Sequence, residues 1–198
     1  MGLDLQYIDS QTPIDEDEKE GLLIETISTR GELDEFEQLN IEDALQWVFI
    51  RKFNSKQVFT EKFICNLHKR MLGNVWDWAG EFRKTNKNIG VDKYQIPMQL
   101  KMLCDDTLFW IENKIYRPEE IAIRFKHRLV SIHCFSNGNG RHSRIMGDII
   151  IEKLFGKEAF SWGASKFSKA KDSRAEYLKA LKAADLKDYQ PLLDFARS

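Results

Sequence analysis

The side chains best suited to chemistry lie together in one short segment of the sequence. Near its start is His133, and an imidazole can take up a proton near pH 7. Gly138 and Gly140 follow, where the backbone turns tightly or approaches a ligand closely. Arg141 and Arg144 are three residues apart and therefore share one face of a helix. A base, a glycine loop and two arginines together predict phosphoryl or nucleotidyl transfer.

The elements on either side of this segment are predicted to be helices. Apolar residues recur at helical spacing up to Ile132, and a second helix is predicted from about Arg141. The first N–H groups of that helix and the positive end of its dipole point back at the loop, which favours an anion. Asn139 adds a side-chain donor. Taken singly, a Gly-Asn-Gly turn between helices and one histidine before it are usually only structural, so the prediction depends on their joint spacing.

Composition and charge narrow the class of protein. The chain has 198 residues, enough for one compact domain with a short arm, and its 42% hydrophobic and 31% charged residues are typical of a globular protein. Lys and Arg total 30 against 31 Asp and Glu, which argues against a nucleic-acid partner. Three separated cysteines predict neither a disulfide framework nor a zinc knuckle. No signal peptide or membrane span is recognisable, so a cytoplasmic protein without a membrane partner is predicted.

Helical apolar spacing dominates the chain and predicts a mostly α fold. The predicted helices cover residues 13–20, 33–50, a segment that begins after Thr60, then 97–115, 118–132, 141–155, 172–184 and a last one from 188. In the second of these, the residues predicted to be buried are Phe36, Ala44, Leu45, Val48 and Phe49. Gly and Asn residues interrupt the helical pattern at about 82–91, where Ile89 and Val91 favour extended backbone, so a small β-hairpin is predicted there.

The glycine segment resembles the signature of the Fic family, His-x-Phe-x-(Asp/Glu)-Gly-Asn-Gly-Arg-x-x-Arg. The residues that match it are His133, Phe135, Gly138, Asn139, Gly140, Arg141 and Arg144. Cys134 replaces a proline that is common in the family, and Asn137 replaces the acidic residue that normally holds magnesium. The chain length, the acidic N-terminus and the Trp-Ala-Gly-Glu-Phe-Arg segment at 78–83 resemble a small bacterial Fic subgroup called mobile mystery protein B.

The resemblance implies a fold, an activity and a set of site residues. The fold is a Fic-type helical bundle, and the activity is transfer of AMP from ATP to a Ser, Thr or Tyr hydroxyl of a target protein. His133 would be the general base, and the nucleotide phosphates would be held by Gly138, Asn139, Gly140, Arg141 and Arg144. Mg²⁺ is also implied, with Asn137 as a weaker ligand because an amide offers only a neutral oxygen. The alternative function is a nucleotide-binding regulatory module with little catalytic activity.

The resemblance also implies a flap beside the site. The predicted hairpin at 82–91 corresponds to the family's flap, on which the backbone of the target adds as an extra strand. The candidate target-binding residues are Lys84, Thr85, Asn86, Lys87, Asn88, Ile89 and Gly90. Solvent-exposed lysines on a loop without a partner are the plainer alternative for the charged members of this set.

The N-terminal residues 1–31 are predicted to form an arm with a short acidic helix, ahead of a Fic-type domain at 32–198 with its motif core at about 60–165. Many Fic proteins are restrained by a helix with the pattern (Ser/Thr)-x-x-x-Glu-(Gly/Asn). Glu20 and the glycine after it supply the end of this pattern, whereas Thr12 and Glu16 supply its beginning. An inhibitory Glu20 or Glu16, an ordinary capped acidic helix, and control by a separate regulatory partner all stay open.

Overall fold

The computed structural model describes residues 16–164 and 170–198. As predicted, these residues are mostly α-helical, and the start of the helix predicted over 13–20 lies outside them. The helices are α1 (Glu16–Lys19), α2 (Arg30–Phe49), α3 (Ser55–Val58), α4 (Glu61–Leu72), α5 (Ile96–Glu112), α6 (Pro118–Ile132), α7 (Asn139–Asp148), α8 (Ala170–Asp185) and α9 (Gln190–Arg197). A 3₁₀ turn, Lys93–Gln95, precedes α5, and a π-helical segment, Ile149–Leu154, extends α7.

Helices α6 and α7 form the centre of the bundle and hold the glycine segment between them. Pro118 begins α6, where its fixed φ and missing N–H suit the first helical position. The helix ends at His133, which has a left-handed backbone with φ 58°, and Gly138 precedes α7 with φ 76°. Two left-handed residues close together make the reversal tight, so the loop stays beside the two helices that carry it. Helix α5 and α9 pack against α6, and α4 packs against α7.

The buried face of α2 differs from the predicted one. The helix begins with a capping box, in which the Thr29 hydroxyl accepts from the N–H of Glu32 and the Glu32 carboxylate accepts from the N–H of Thr29. Ala44 and Val48 are buried as predicted, but Phe36, Leu45 and Phe49 are 40%, 42% and 76% exposed. The face that packs on α4 is made of Leu33, Glu37, Asn40, Ile41, Ala44 and Val48. Two polar side chains, Glu37 and Asn40, are buried there because each has a partner on another part of the chain.

The β-hairpin predicted at 82–91 is not formed. These residues follow bends and loops without a strand, and the isolated antiparallel bridge of the described chain joins Leu22 to Trp76. The physical reason is Arg83, a buried side chain whose guanidinium donates to the backbone carbonyls of Thr85 and Val91. Because the arginine satisfies these carbonyls from inside the loop, the chain curls around it rather than pairing with itself.

The other boundaries agree with the sequence to within a few residues. Thr60 caps α4 as predicted, its hydroxyl accepting from the N–H of Phe63. Helix α6 begins and ends at the predicted residues, and α5 begins one residue before the predicted 97. Across the described ranges, no helix combines the length and apolar character that crossing a membrane requires.

Candidate active site

His133 is a buried, neutral histidine at the start of the loop. Its side chain is nine-tenths or more buried, and burial, reinforced by the charge of Arg83, lowers its pKa to about 4. A hydrogen bond to the backbone of Val130 engages the ring on one side. The imidazole therefore carries no charge at neutral pH, and a neutral ring retains one nitrogen lone pair that can accept a proton.

Asn139 closes the loop with its side chain. Its Oδ1 accepts from the N–H of Phe135 at 3.0 Å, and its Nδ2 donates to the carbonyl of the same residue at 2.7 Å. The Asn139 amide, which the sequence offered as a phosphate donor, is thus occupied in holding the loop. Donors for an anion would then come from the first backbone N–H groups of α7, which have no partner within the helix.

His68, on α4, forms hydrogen bonds that hold the loop between α6 and α7. Its Nδ1 accepts from the N–H of Gly80 at 3.0 Å, so the proton lies on Nε2, which donates to the carbonyl of Asn137 at 3.0 Å. The ring also stacks on Phe135 with centroids 3.8 Å apart. Burial, with a smaller effect of the neighbouring His142, holds the pKa of His68 well below its ordinary value. The sequence holds no signal for this role, because a lone histidine on an apolar helix face belongs to no motif.

We expect His68→Leu to lower the free energy of unfolding by about 2–4 kcal/mol, because it leaves the N–H of Gly80 and the carbonyl of Asn137 buried without a partner. Urea unfolding at pH 7.5 measures this loss. Equal stability of the variant and the parent protein would show that neither hydrogen bond holds the loop.

The start of α7 leaves room beside its backbone. A Cβ on Gly138 would lie 2.7 Å from the Leu72 side chain, so only glycine fits at this left-handed position. At Gly140 a Cβ would meet no heavy atom of the described chain within 4 Å. A phosphate group can therefore approach the N–H groups at this end of the helix, where the helix dipole favours negative charge.

The two motif arginines have different neighbours. Arg141 Nη1 lies 2.7 Å from Oε2 of Glu37 on α2. Arg144 lies one turn further along α7, with its guanidinium carbon 5.9 Å from the ring centre of Tyr177. Its charge also acts on Lys126, whose pKa burial holds well below the ordinary value. The sequence placed both arginines in one phosphate site, and this assignment stays a prediction.

The predicted metal ligand, Asn137, is partly exposed at the loop. Its Oδ1 accepts from the N–H of Gly138 at 2.5 Å, and its backbone carbonyl accepts from His68. Within the described residues, no group of three or more His, Cys, Asp or Glu side chains is arranged to hold a metal ion. The role of Asn137 as a metal ligand stays a prediction.

Arg83 fastens the segment at 82–91 to the loop. Its Nε donates to the carbonyl of His133 at 2.7 Å, and its backbone N–H donates to the carbonyl of Cys134 at 2.9 Å. Gly90 lies against His133, since a Cβ there would be 2.7 Å from Cβ of His133. The segment therefore covers one side of His133. The sequence singled out Arg83 only as part of the Trp-Ala-Gly-Glu-Phe-Arg resemblance.

The predicted target-binding residues lie on this segment in different environments. Asn86 accepts from the N–H of Lys93 and donates to Asp92, so it shapes the turn. Lys87 is buried and paired, whereas the side chain of Lys84 is 84% exposed. Ile89 is 49% exposed. The exposed part of the predicted set thus includes Lys84 and Ile89.

The N-terminal arm contacts the flap segment through Glu18. Its carboxylate lies 2.6 Å from Nζ of Lys87, and both side chains are largely buried. Glu20 is exposed, and no ion pair joins it to Arg144 in the described part of the chain. The carboxylate that contacts the segment at 82–91 is therefore that of Glu18, which lies between the two glutamates proposed from the sequence. An inhibitory role for Glu20 or Glu16 stays a prediction.

These features define a helical protein with a buried histidine at one end of a loop and, at the other end, a helix N-terminus where Gly140 is not crowded by other described residues. Residues 58–151 match the Fic/DOC family, and the chain thus carries a Fic/DOC family domain. It is similar to the protein adenylyltransferase Fic of Aedes aegypti, with 28% identity over 163 residues, and to that of Nematostella vectensis, with 26% over 167 residues. These alignments cover 80% and 82% of the chain but only 31% and 37% of the two relatives.

Solved structures of Fic proteins share the fold. Residues 134–508 of Fic-1 from C. elegans superpose with a TM-score of 0.64 at 23% identity, covering 90% of this chain and 51% of that one. BepC of Bartonella tribocorum, solved with bound AMPPNP, gives a TM-score of 0.67 at 17% identity and covers 92% and 97%. The predicted Fic-type helical bundle is confirmed. The narrower bacterial subgroup stays a prediction, because the relatives come from animals as well as bacteria.

Proposed function

We propose that this chain transfers AMP from ATP to a hydroxyl side chain of a target protein. The observation that carries the proposal is the neutral imidazole of His133 beside the open N-terminus of α7. Similarity to proteins named adenylyltransferases and the fold shared with an AMPPNP-bound protein support the choice of ATP. The predicted division into an arm at 1–31 and a catalytic domain at 32–198 belongs to the same proposal.

In this reaction the target hydroxyl is the nucleophile. The lone pair of His133 accepts the hydroxyl proton while the oxygen forms a bond to the α-phosphorus. The bond from that phosphorus to the oxygen bridging to the β-phosphate breaks, and pyrophosphate leaves. Backbone N–H groups at Asn139 and Gly140, together with Arg141 and Arg144, stabilise the charge on the phosphate oxygens. Of these groups, the N–H groups and Arg141 lie in the first turn of α7, and Arg144 lies one turn further along the same helix.

Mg²⁺ belongs to the proposal only as a partner of the nucleotide. When bound, it would offset phosphate charge, and Asn137 is the side chain of this loop that could reach it. The oxygen of that amide already accepts from Gly138. The described residues therefore fit an ion that is held mainly by phosphates and water. Such an ion is bound more weakly than one that also has a carboxylate ligand.

The target is proposed to lie along the flap segment. The segment at 82–91 adjoins His133 through Gly90, so a hydroxyl presented there is close to the base. A cytoplasmic setting is part of the proposal, since the cytoplasm supplies ATP and keeps thiols reduced. The three cysteines, Cys65, Cys104 and Cys134, form no disulfide. The target protein and any regulatory partner are left open.

The proposal is tested by incubating the protein and a cell extract with ATP labelled at either the α- or the γ-phosphate. We expect α-label, and not γ-label, to become covalently attached to protein above the level found in the extract alone. Attachment of γ-label alone would indicate phosphate transfer instead. Nucleotide binding without any attachment would favour the second candidate, a nucleotide-binding regulatory module, which the amide at Asn137 also fits.

A further inference from the structure

Glu37 is a carboxylate in the core of the bundle. It lies on the face of α2 that packs against α4, and its side chain is only 2% exposed. A buried charge is costly unless it is paired and hydrogen-bonded. Its Oε1 accepts from the indole Nε1 of Trp76 at 2.7 Å, and its Oε2 lies 2.7 Å from Nη1 of Arg141. The acid therefore links the core directly to a motif arginine.

The side chain of Arg141 contacts Glu37 on one side and is partly exposed to solvent on the other. It occupies the first turn of α7, the end that offers backbone N–H groups to an anion. Its side chain is 32% exposed even though Nη1 contacts the buried Glu37. A guanidinium has five donors in a rigid plane, so one contact with Glu37 leaves donors available to phosphate oxygens.

We propose that Glu37 is a positioning residue that orients the guanidinium of Arg141 for the phosphates of the bound nucleotide. The proposal rests on the proposed nucleotide site. It assigns a role to a residue more than a hundred positions away from Arg141 in the sequence. A carboxylate that blocks the site would have to withdraw when phosphate arrives. Glu37 is fixed by Trp76 and lies within a twenty-residue helix, so it stays in place while phosphate binds on the open side of Arg141.

The test compares Glu37→Gln with a control on the same helix face. Glutamine keeps an acceptor for Trp76 but removes the charge that holds Arg141. We expect the Kd for ATP, measured by calorimetry, to rise about 10-fold, and Glu37→Asp to restore part of the affinity. The control is Asn40→Ala, since Asn40 is also buried and joins the carbonyl of Arg70 to the N–H of Asn74. It should lower the melting temperature without changing the Kd.

A double-mutant cycle tests whether Glu37 acts through Arg141. In an Arg141→Gln background, Glu37→Gln should leave the Kd for ATP unchanged. Equal affinity of Glu37→Gln and the parent protein would reduce the pair to a structural contact, and tighter binding would make Glu37 an obstruction; either result overturns the proposal. Because the readout is ATP binding, a protein that binds ATP but transfers no AMP would refute the proposed function while leaving this test intact.

Discussion

Replacing His133 with alanine is expected to reduce AMP transfer at least about 100-fold, the usual contribution of a general base. The Kd for ATP should change little, because the phosphate donors belong to α7 and not to the imidazole. Transfer is measured with α-labelled ATP, and ATP binding by calorimetry. A variant that transfers AMP at the parent rate would remove His133 from the mechanism.

His127→Asn is the matched control for this variant. His127 lies on the same helix and is also buried, but its ring contacts Asp185 at 2.8 Å, away from the loop. This substitution should lower stability and leave the transfer rate within about twofold. A similar loss of rate in both variants would mean that the effect of His133→Ala is a general loss of structure.

The pH dependence of the reaction should reflect the low pKa of the base. His133 acts only when unprotonated, and its pKa is lowered to about 4 from an ordinary value near 6.5. Activity governed by this group is therefore retained as the pH falls from 8 to about 5 and is lost below that. The rate kcat/KM for ATP, which reports the free enzyme, is the quantity to measure. A midpoint near 6.5 would mean that the ring is solvated in solution.

The sequence was sufficient to propose a site but not to identify the residues that support it. Residues 133–144 form a contiguous motif, and the helices that flank it follow from apolar spacing. His68, Arg83 and Glu37 come from other elements, and each is a polar residue that contacts the loop or α7 only after folding. A periodicity argument assigns polar residues to the surface, so it cannot identify a buried residue whose partner lies elsewhere in the chain.

The errors in α2 and the flap have the same origin. The apolar character of Phe36 and Phe49 predicts a place in the core, yet the helix turns Glu37 and Asn40 inward to reach partners on other elements. The alternating Ile89 and Val91 suggested a strand, yet the carbonyl of Val91 accepts from Arg83. In both places a specific polar contact outweighs the local pattern, and both contacts lie next to the proposed site.

Arg83 gives the second prediction with a large expected effect. Its guanidinium joins the carbonyl of His133 to those of Thr85 and Val91, and its side chain is buried. Arg83→Met keeps a long apolar stem but removes every donor, which leaves these carbonyls without their partner. We expect the unfolding free energy to fall by about 3 kcal/mol or more. Transfer of AMP to protein should fall more than 100-fold, because the backbone of His133 and the flap are released together.

The control for this variant is Arg128→Met on α6. Arg128 pairs with Asp106 at 2.5 Å in a partly exposed ion pair, and such pairs contribute at most about 1 kcal/mol. It should change neither stability nor transfer substantially. Measuring both AMP transfer to protein and the Kd for ATP in each variant distinguishes the role of the segment at 82–91 from general destabilisation. If Arg83→Met binds ATP normally and still modifies protein at the parent rate, the segment at 82–91 neither presents the target nor fixes the base.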